Sequence, residues 1–204
     1  MGADVRSENA APAPGRPTLV QRLARGLLRL FGWRVDFAWP PTNKCVIVVY
    51  PHTSNWDFVV GYLAKVAAGV RLEWIGKASL FRWPFGALLR RMGGIPVERG
   101  AHAGVVAQLA QEYARRERIW VAIAPEGTRS RTDHWKSGFY HLALAAEVPV
   151  GLAFIDYRRR LVELRTTLLL SGDVGRDLER LRAFYRDVQG CRPEQASQIR
   201  FRAD

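Results

Sequence analysis

Cysteine is scarce. Two occur in 204 residues, Cys45 and Cys191, far apart and in no CxxC or metal-spaced arrangement. That excludes a disulfide framework and a zinc pattern, and it points to a reducing compartment. Lysine is scarce as well: four of the 31 basic residues are Lys and 27 are Arg. Acidic residues number only 19, which leaves a formal net charge of +12. No stretch reaches the ~18 consecutive apolar residues that would cross a bilayer. The first residues, MGADVRSENAAPAPGRP, lack the apolar centre of a secretory signal. His102, His134 and His141 have no ligand spacing and read as surface or packing residues. Neither a metal nor a cofactor is expected.

Enough remains for one domain with a sizeable core. The hydrophobic share is 48%, ordinary for a globular chain. The Arg-rich charge favours a phosphate-bearing partner, because a guanidinium offers phosphate a planar fork of donors. Nucleic acid, an anionic membrane and a small phosphate ester all qualify on charge alone.

Three parts are predicted along the chain: a flexible tail over 1–17, an amphipathic helix over 18–34 and the main domain over 35–204. In the helix, Leu19, Leu23, Leu27 and Leu30 fall in one arc at about 100° per residue, opposite Arg22, Arg25 and Arg29. Such a helix can pack on the domain, lie in a membrane interface, or do both in part. Beyond it, short apolar runs alternate with helical patterns. CVIVVY, LEWIG, IPVE, IWVAIA and VPVGLAFI read as strands. DFVVGYLAKVAAG, SLFRWPFGALLRRM, AGVVAQLAQEYARR, FYHLALAAE and 173–189 read as helices. LVELRTTLLL is a further apolar run. The fold class predicted is α/β, a single domain with a mostly parallel sheet and helices on both faces.

Ligands of such sheets gather at the carboxyl ends of the strands. Two polar loops follow apolar strands there. In PHTSNWD, His52 is a candidate general base and Asp57 a candidate partner for its second ring nitrogen. Five residues apart on one helix they would diverge by about 140°. They meet only if His52 sits in the loop and Asp57 in the first helical turn, with Ser54 or Asn55 as N-cap. In PEGTRS, Glu126 follows the strand directly, Gly127 permits a tight backbone approach and Arg129 supplies a fork of donors.

PHTSNWD resembles the HxxxxD motif of the glycerolipid acyltransferase family, and EGTRS matches that family's second signature letter for letter. GGIPVERG, VPVGLAF and HWKSGF resemble further blocks in the family's order, so the resemblance runs from about residue 44 to 156. Pro51 stands where members often carry Asn, and Pro-Val-Glu-Arg replaces the usual ending in Asp-Arg.

The resemblance implies an O-acyltransferase of the 1-acylglycerol-3-phosphate type, with acyl-CoA or acyl carrier protein as thioester donor. A lysophospholipid or another alcohol would be the acceptor. His52 and Asp57 would be catalytic. Arg99, Arg129 and Lys77 would hold an acceptor phosphate beside Gly127 and Thr128, and Glu126 would meet the acceptor's free hydroxyl or pin Arg129. Substrates with long apolar chains imply a membrane surface as partner, on the inner face of the cytoplasmic membrane. An aminolipid or natural-product acceptor remains open. A nucleic-acid module is disfavoured, since no helix-turn-helix, RNP-like or zinc pattern accompanies the charge.

Overall fold

The apolar runs become the strands of one sheet. The structure, a computed structural model, describes residues 16–38, 40, 42–97 and 102–202. The tail expected over 1–17 lies outside these as far as residue 15, and so does Arg99. The strands are β1 (Arg34–Phe37), β2 (Lys44–Val49), β3 (Glu73–Lys77), β4 (Gly94–Val97), β5 (Ile119–Ile123), β6 (Val150–Asp156) and β7 (Leu161–Leu168). They form a seven-stranded sheet in the order β1-β7-β6-β2-β5-β3-β4. Every pairing is parallel except the β6–β7 hairpin. The helices are α1 (Leu19–Leu30), α2 (Trp56–Ala68), α3 (Gly86–Arg91), α4 (His102–Arg115), α5 (Gly138–Ala145) and α6 (Val174–Tyr185).

The central strand explains its own composition. Cys45, Val46, Ile47 and Val48 are fully buried, since helices cover both faces and no alternation with polar residues is needed. Val46, Val48 and Tyr50 join Val121, Val150 and Leu152 in a core with Leu109, Phe139, Leu142 and Leu181 from α4, α5 and α6. Cys45 and Ile47 face the other way, toward Val70 after α2. Ala64 and Ala67 of α2 pack with Ala24 and Leu28 of α1.

Two features depart from the sequence reading, and a third bears on what it left open. First, Arg34–Phe37 is a strand, β1, added beside β7 at the sheet edge. Second, SLFRWPFGALLRRM is not one helix: a 3-10 turn covers Ala78–Phe81, Arg82 is extended and α3 begins only at Gly86. Pro84 lies in the break between them and has no backbone N–H to donate, so a continuous helix is interrupted there. Third, α1 buries Ala24 and Leu28, while Leu19, Leu23, Leu27 and Leu30 stay exposed. A capping box starts that helix: Gln21 N–H donates to Thr18 Oγ1 at 3.3 Å and Thr18 N–H donates to Gln21 Oε1 at 2.7 Å. No described helix is long and apolar enough to cross a membrane.

Candidate active site

Parallel strands β2, β3, β4 and β5 end at one edge of the sheet, and β6 runs parallel to β2. His52 follows β2, Lys77 ends β3 and Glu126 follows β5, so the topology brings these loops to the same edge. Lys77 is exposed there and pairs in register with Val97, the last residue of β4.

The HTSNWD loop folds as the spacing requires. His52 precedes α2 and Asp57 lies in its first turn, where the helix dipole favours an acid. His52 Nδ1 is 3.1 Å from Asp57 Oδ2. The same oxygen accepts Thr53 N–H at 2.7 Å and Ser54 N–H at 2.9 Å. Asn55 makes no side-chain cap; Ser54 Oγ accepts Trp56 N–H at 3.2 Å instead. The amides of Thr53, Ser54 and Trp56 are therefore engaged within the loop. Asp57 is 3% exposed. Burial pushes its carboxyl up, but the pairing with His52 and the donors from Ser54 and Tyr157 outweigh it and hold the group below its ordinary value. An ionised Asp57 favours the imidazole tautomer protonated on Nδ1, which leaves the lone pair on Nε2.

Glu126 ties the second loop to the first. Its Oε2 accepts His52 N–H at 2.6 Å and its Oε1 accepts Ser197 N–H at 2.9 Å. Neither contact is with Arg129, one of the two partners expected. Burial pushes the Glu126 carboxyl up, against the lowering by the Ser197 and His52 donors. Gly127 has φ +65°, which favours glycine, and a Cβ there would lie 2.9 Å from Lys136 Cε and Nζ. Lys136 thus adds an ammonium beside EGTR. Thr128 Oγ1 accepts Ser130 N–H at 3.3 Å, and the Arg129 side chain is exposed.

Two partners of the site carried no motif signal. Tyr157, directly after β6, donates its hydroxyl to Asp57 Oδ1 at 2.8 Å. The segment after α6 straps both loops. Arg192 N–H donates to Thr53 Oγ1 at 3.1 Å, Ser197 Oγ accepts Thr132 N–H at 3.1 Å, and Gln195 with its amide suitably oriented donates to the carbonyls of Thr53 and Arg129. A Cβ on Gly190 would lie 2.8 Å from Thr53 Oγ1, so the strap passes close against the loop. Strand position and buried polar pairing are tertiary facts, and only a local repeat or motif would have shown them in sequence.

Among the described residues no cluster of His, Cys, Asp or Glu could hold a metal ion. Cys45 is buried, which pushes its thiol up to about 12 and leaves it unreactive. A cavity of about 520 Å³ opens between α1, β1 and the end of α2, lined by Arg25, Arg29, Arg34, Trp33 and Trp120. Trp120 stands near the start of β5, so this cavity sits at the sheet end away from His52.

Comparison with known proteins agrees with the geometry. No curated protein matches the chain by sequence. The structure is similar to the crystal structure of PlsC, the 1-acyl-sn-glycerophosphate acyltransferase of Thermotoga maritima, with a TM-score of 0.51 and 15% identity over 82% of this chain and 74% of that one. At that identity the likeness is one of fold. The family model Acyltransferase matches residues 38–151, more than half of the chain and spanning both loops. The protein therefore belongs to the acyltransferase family.

Proposed function

We propose that the protein moves a fatty acyl group from a thioester, acyl-CoA or acyl carrier protein, to the hydroxyl of a lysophospholipid, most simply 1-acylglycerol-3-phosphate. The observation that carries the reading is the His52–Asp57 pair, 3.1 Å apart, on a loop fastened through Glu126 to EGTR. An alcohol is a poor nucleophile near neutral pH. His52 Nε2 takes its proton as the oxygen attacks the thioester carbonyl, and Asp57 offsets the imidazolium charge that forms. The tetrahedral intermediate collapses, the C–S bond breaks, and His52 returns the proton to the leaving thiolate. Lys77 and Arg129 hold the acceptor phosphate, and Arg99, two residues past the end of β4, joins them. The neighbouring Lys136 fits the same anion. Positioning of this kind lowers the barrier by up to about 7–11 kcal/mol. No acyl-enzyme intermediate is needed.

The substrate reaches such a site from a membrane surface. The exposed Leu row of α1 supports interfacial contact: Leu19 is 71% and Leu30 78% exposed. That row would enter the acyl region while neighbouring Arg side chains meet lipid phosphates. Location at the inner face of the cytoplasmic membrane follows from this reading.

The test is mass analysis of products from purified protein given both donors and a panel of acceptors. Phosphatidate formed from lysophosphatidate supports the reading. Acylation of an acceptor without phosphate, and none of lysophosphatidate, overturns the acceptor assignment.

A further inference from the structure

We propose that Tyr157 is a positioning residue for this reaction: its hydroxyl holds the outer oxygen of Asp57 and so keeps the carboxylate turned toward His52. The proposal rests on His52 as general base. A carboxylate at the end of an Asp side chain turns in a broad, two-fold torsional well and has no preferred setting of its own. Here both oxygens are held. Oδ2 takes the amides of Thr53 and Ser54 and faces the imidazole, while Oδ1 takes the Tyr157 hydroxyl at 2.8 Å. Without the Tyr157 contact, Oδ1 would be a buried acceptor without that donor, and the carboxylate could turn away from the imidazole.

Tyr157 is itself fixed. It opens the turn between β6 and β7, and its N–H donates to the Gln189 carbonyl at 2.9 Å. Its ring meets Trp33 edge to face, with centroids 5.0 Å apart and planes at 89°. Trp33 follows α1, whose end is pinned to the same turn by Arg160 Nη1 donating to the Phe31 carbonyl at 2.9 Å. Burial, and then the adjacent Asp57 charge, push the phenol far above its ordinary range, so it remains a neutral donor. The residue lies beyond the region matched to the family model, which ends at 151.

The titratable groups around the pair are Glu126, against the His52 backbone, and Cys191, beside the Tyr157 hydroxyl. Tyr157→Phe leaves both in place and keeps the ring that packs on Trp33. The experiment is an NMR titration of ¹⁵N-labelled histidine in the full chain, with His52 assigned by the His52→Ala variant. In Tyr157→Phe the carboxylate supports the imidazolium less well, so the His52 midpoint moves to lower pH by about half a unit or more. The turnover number falls roughly tenfold and KM for the acceptor is unchanged. Replacing Tyr157 by 3-fluorotyrosine, a stronger donor of the same shape, moves the midpoint the opposite way. A midpoint unchanged in both variants overturns the proposal, and so does turnover within twofold of the parent. If the protein transfers no acyl group at all, the functional reading fails, while the titration alone still decides the role of Tyr157.

Discussion

Asp57 and Glu126 are both buried carboxyls, yet they respond to pH in opposite senses. Asp57 is held below its ordinary value, so its stabilisation is present above the unfolded value of about 3.9 and is lost as pH falls through the lower folded value. Glu126 is raised, so its contribution is complete below the unfolded value and is lost as pH rises through the folded one. The melting temperature of the parent should exceed that of Asp57→Asn near neutral pH, and the gap should close below about pH 4; melting curves from pH 3 to 7 check this, and a constant gap would contradict it. Asp57→Ala goes further, leaving Thr53 N–H, Ser54 N–H and the Tyr157 hydroxyl without their acceptor at about 1–3 kcal/mol each. That variant should lose stability as well as turnover. Glu126→Gln places an amide donor against one of two backbone donors, so it should lower both the melting temperature and activity.

Elements decide how much of this could be read in the chain. His52 and Asp57 were legible because a loop followed by a helix start brings them together within a few residues. EGTR was legible because the signature is contiguous. The strap after α6 was not: Gly190, Gln195 and Ser197 reach the loops across the fold, and nothing local marks them. β1 was hidden because RVDF is four residues with a charge at each alternate position, a weak pattern stabilised by pairing to β7. Gly190→Val should make the dependence on the strap visible. Its side chain would meet Thr53 Oγ1 and Pro51 Cγ, near 2.8 and 3.0 Å at the Cβ alone. Overpacking of this kind costs about 1–3 kcal/mol. Urea unfolding and steady-state kinetics together should show lower stability and a lower turnover number. At α1, Leu23→Glu and Leu27→Glu alter exposed positions, 64% and 43% accessible. They should leave the melting temperature nearly unchanged and weaken sedimentation with anionic vesicles; equal sedimentation would remove α1 from the membrane contact.

At the scale of the whole molecule, the proposed function gives one sheet and its helices two tasks. Its carboxyl edge gathers the loops after β2, β3 and β5, while one flanking layer carries α1 with its exposed leucines and Arg side chains. Under the proposed function, the net charge of +12 would serve attraction to anionic surfaces and phosphate esters. The most direct measurement is release of free thiol from acyl-CoA or acyl carrier protein, with lysophosphatidate present, by the purified parent and by His52→Ala. The parent should release thiol in step with phosphatidate. His52→Ala should fold normally, since its side chain is partly exposed, and should be slower by about a hundredfold to ten-thousandfold. Equal rates from the two proteins would contradict the account.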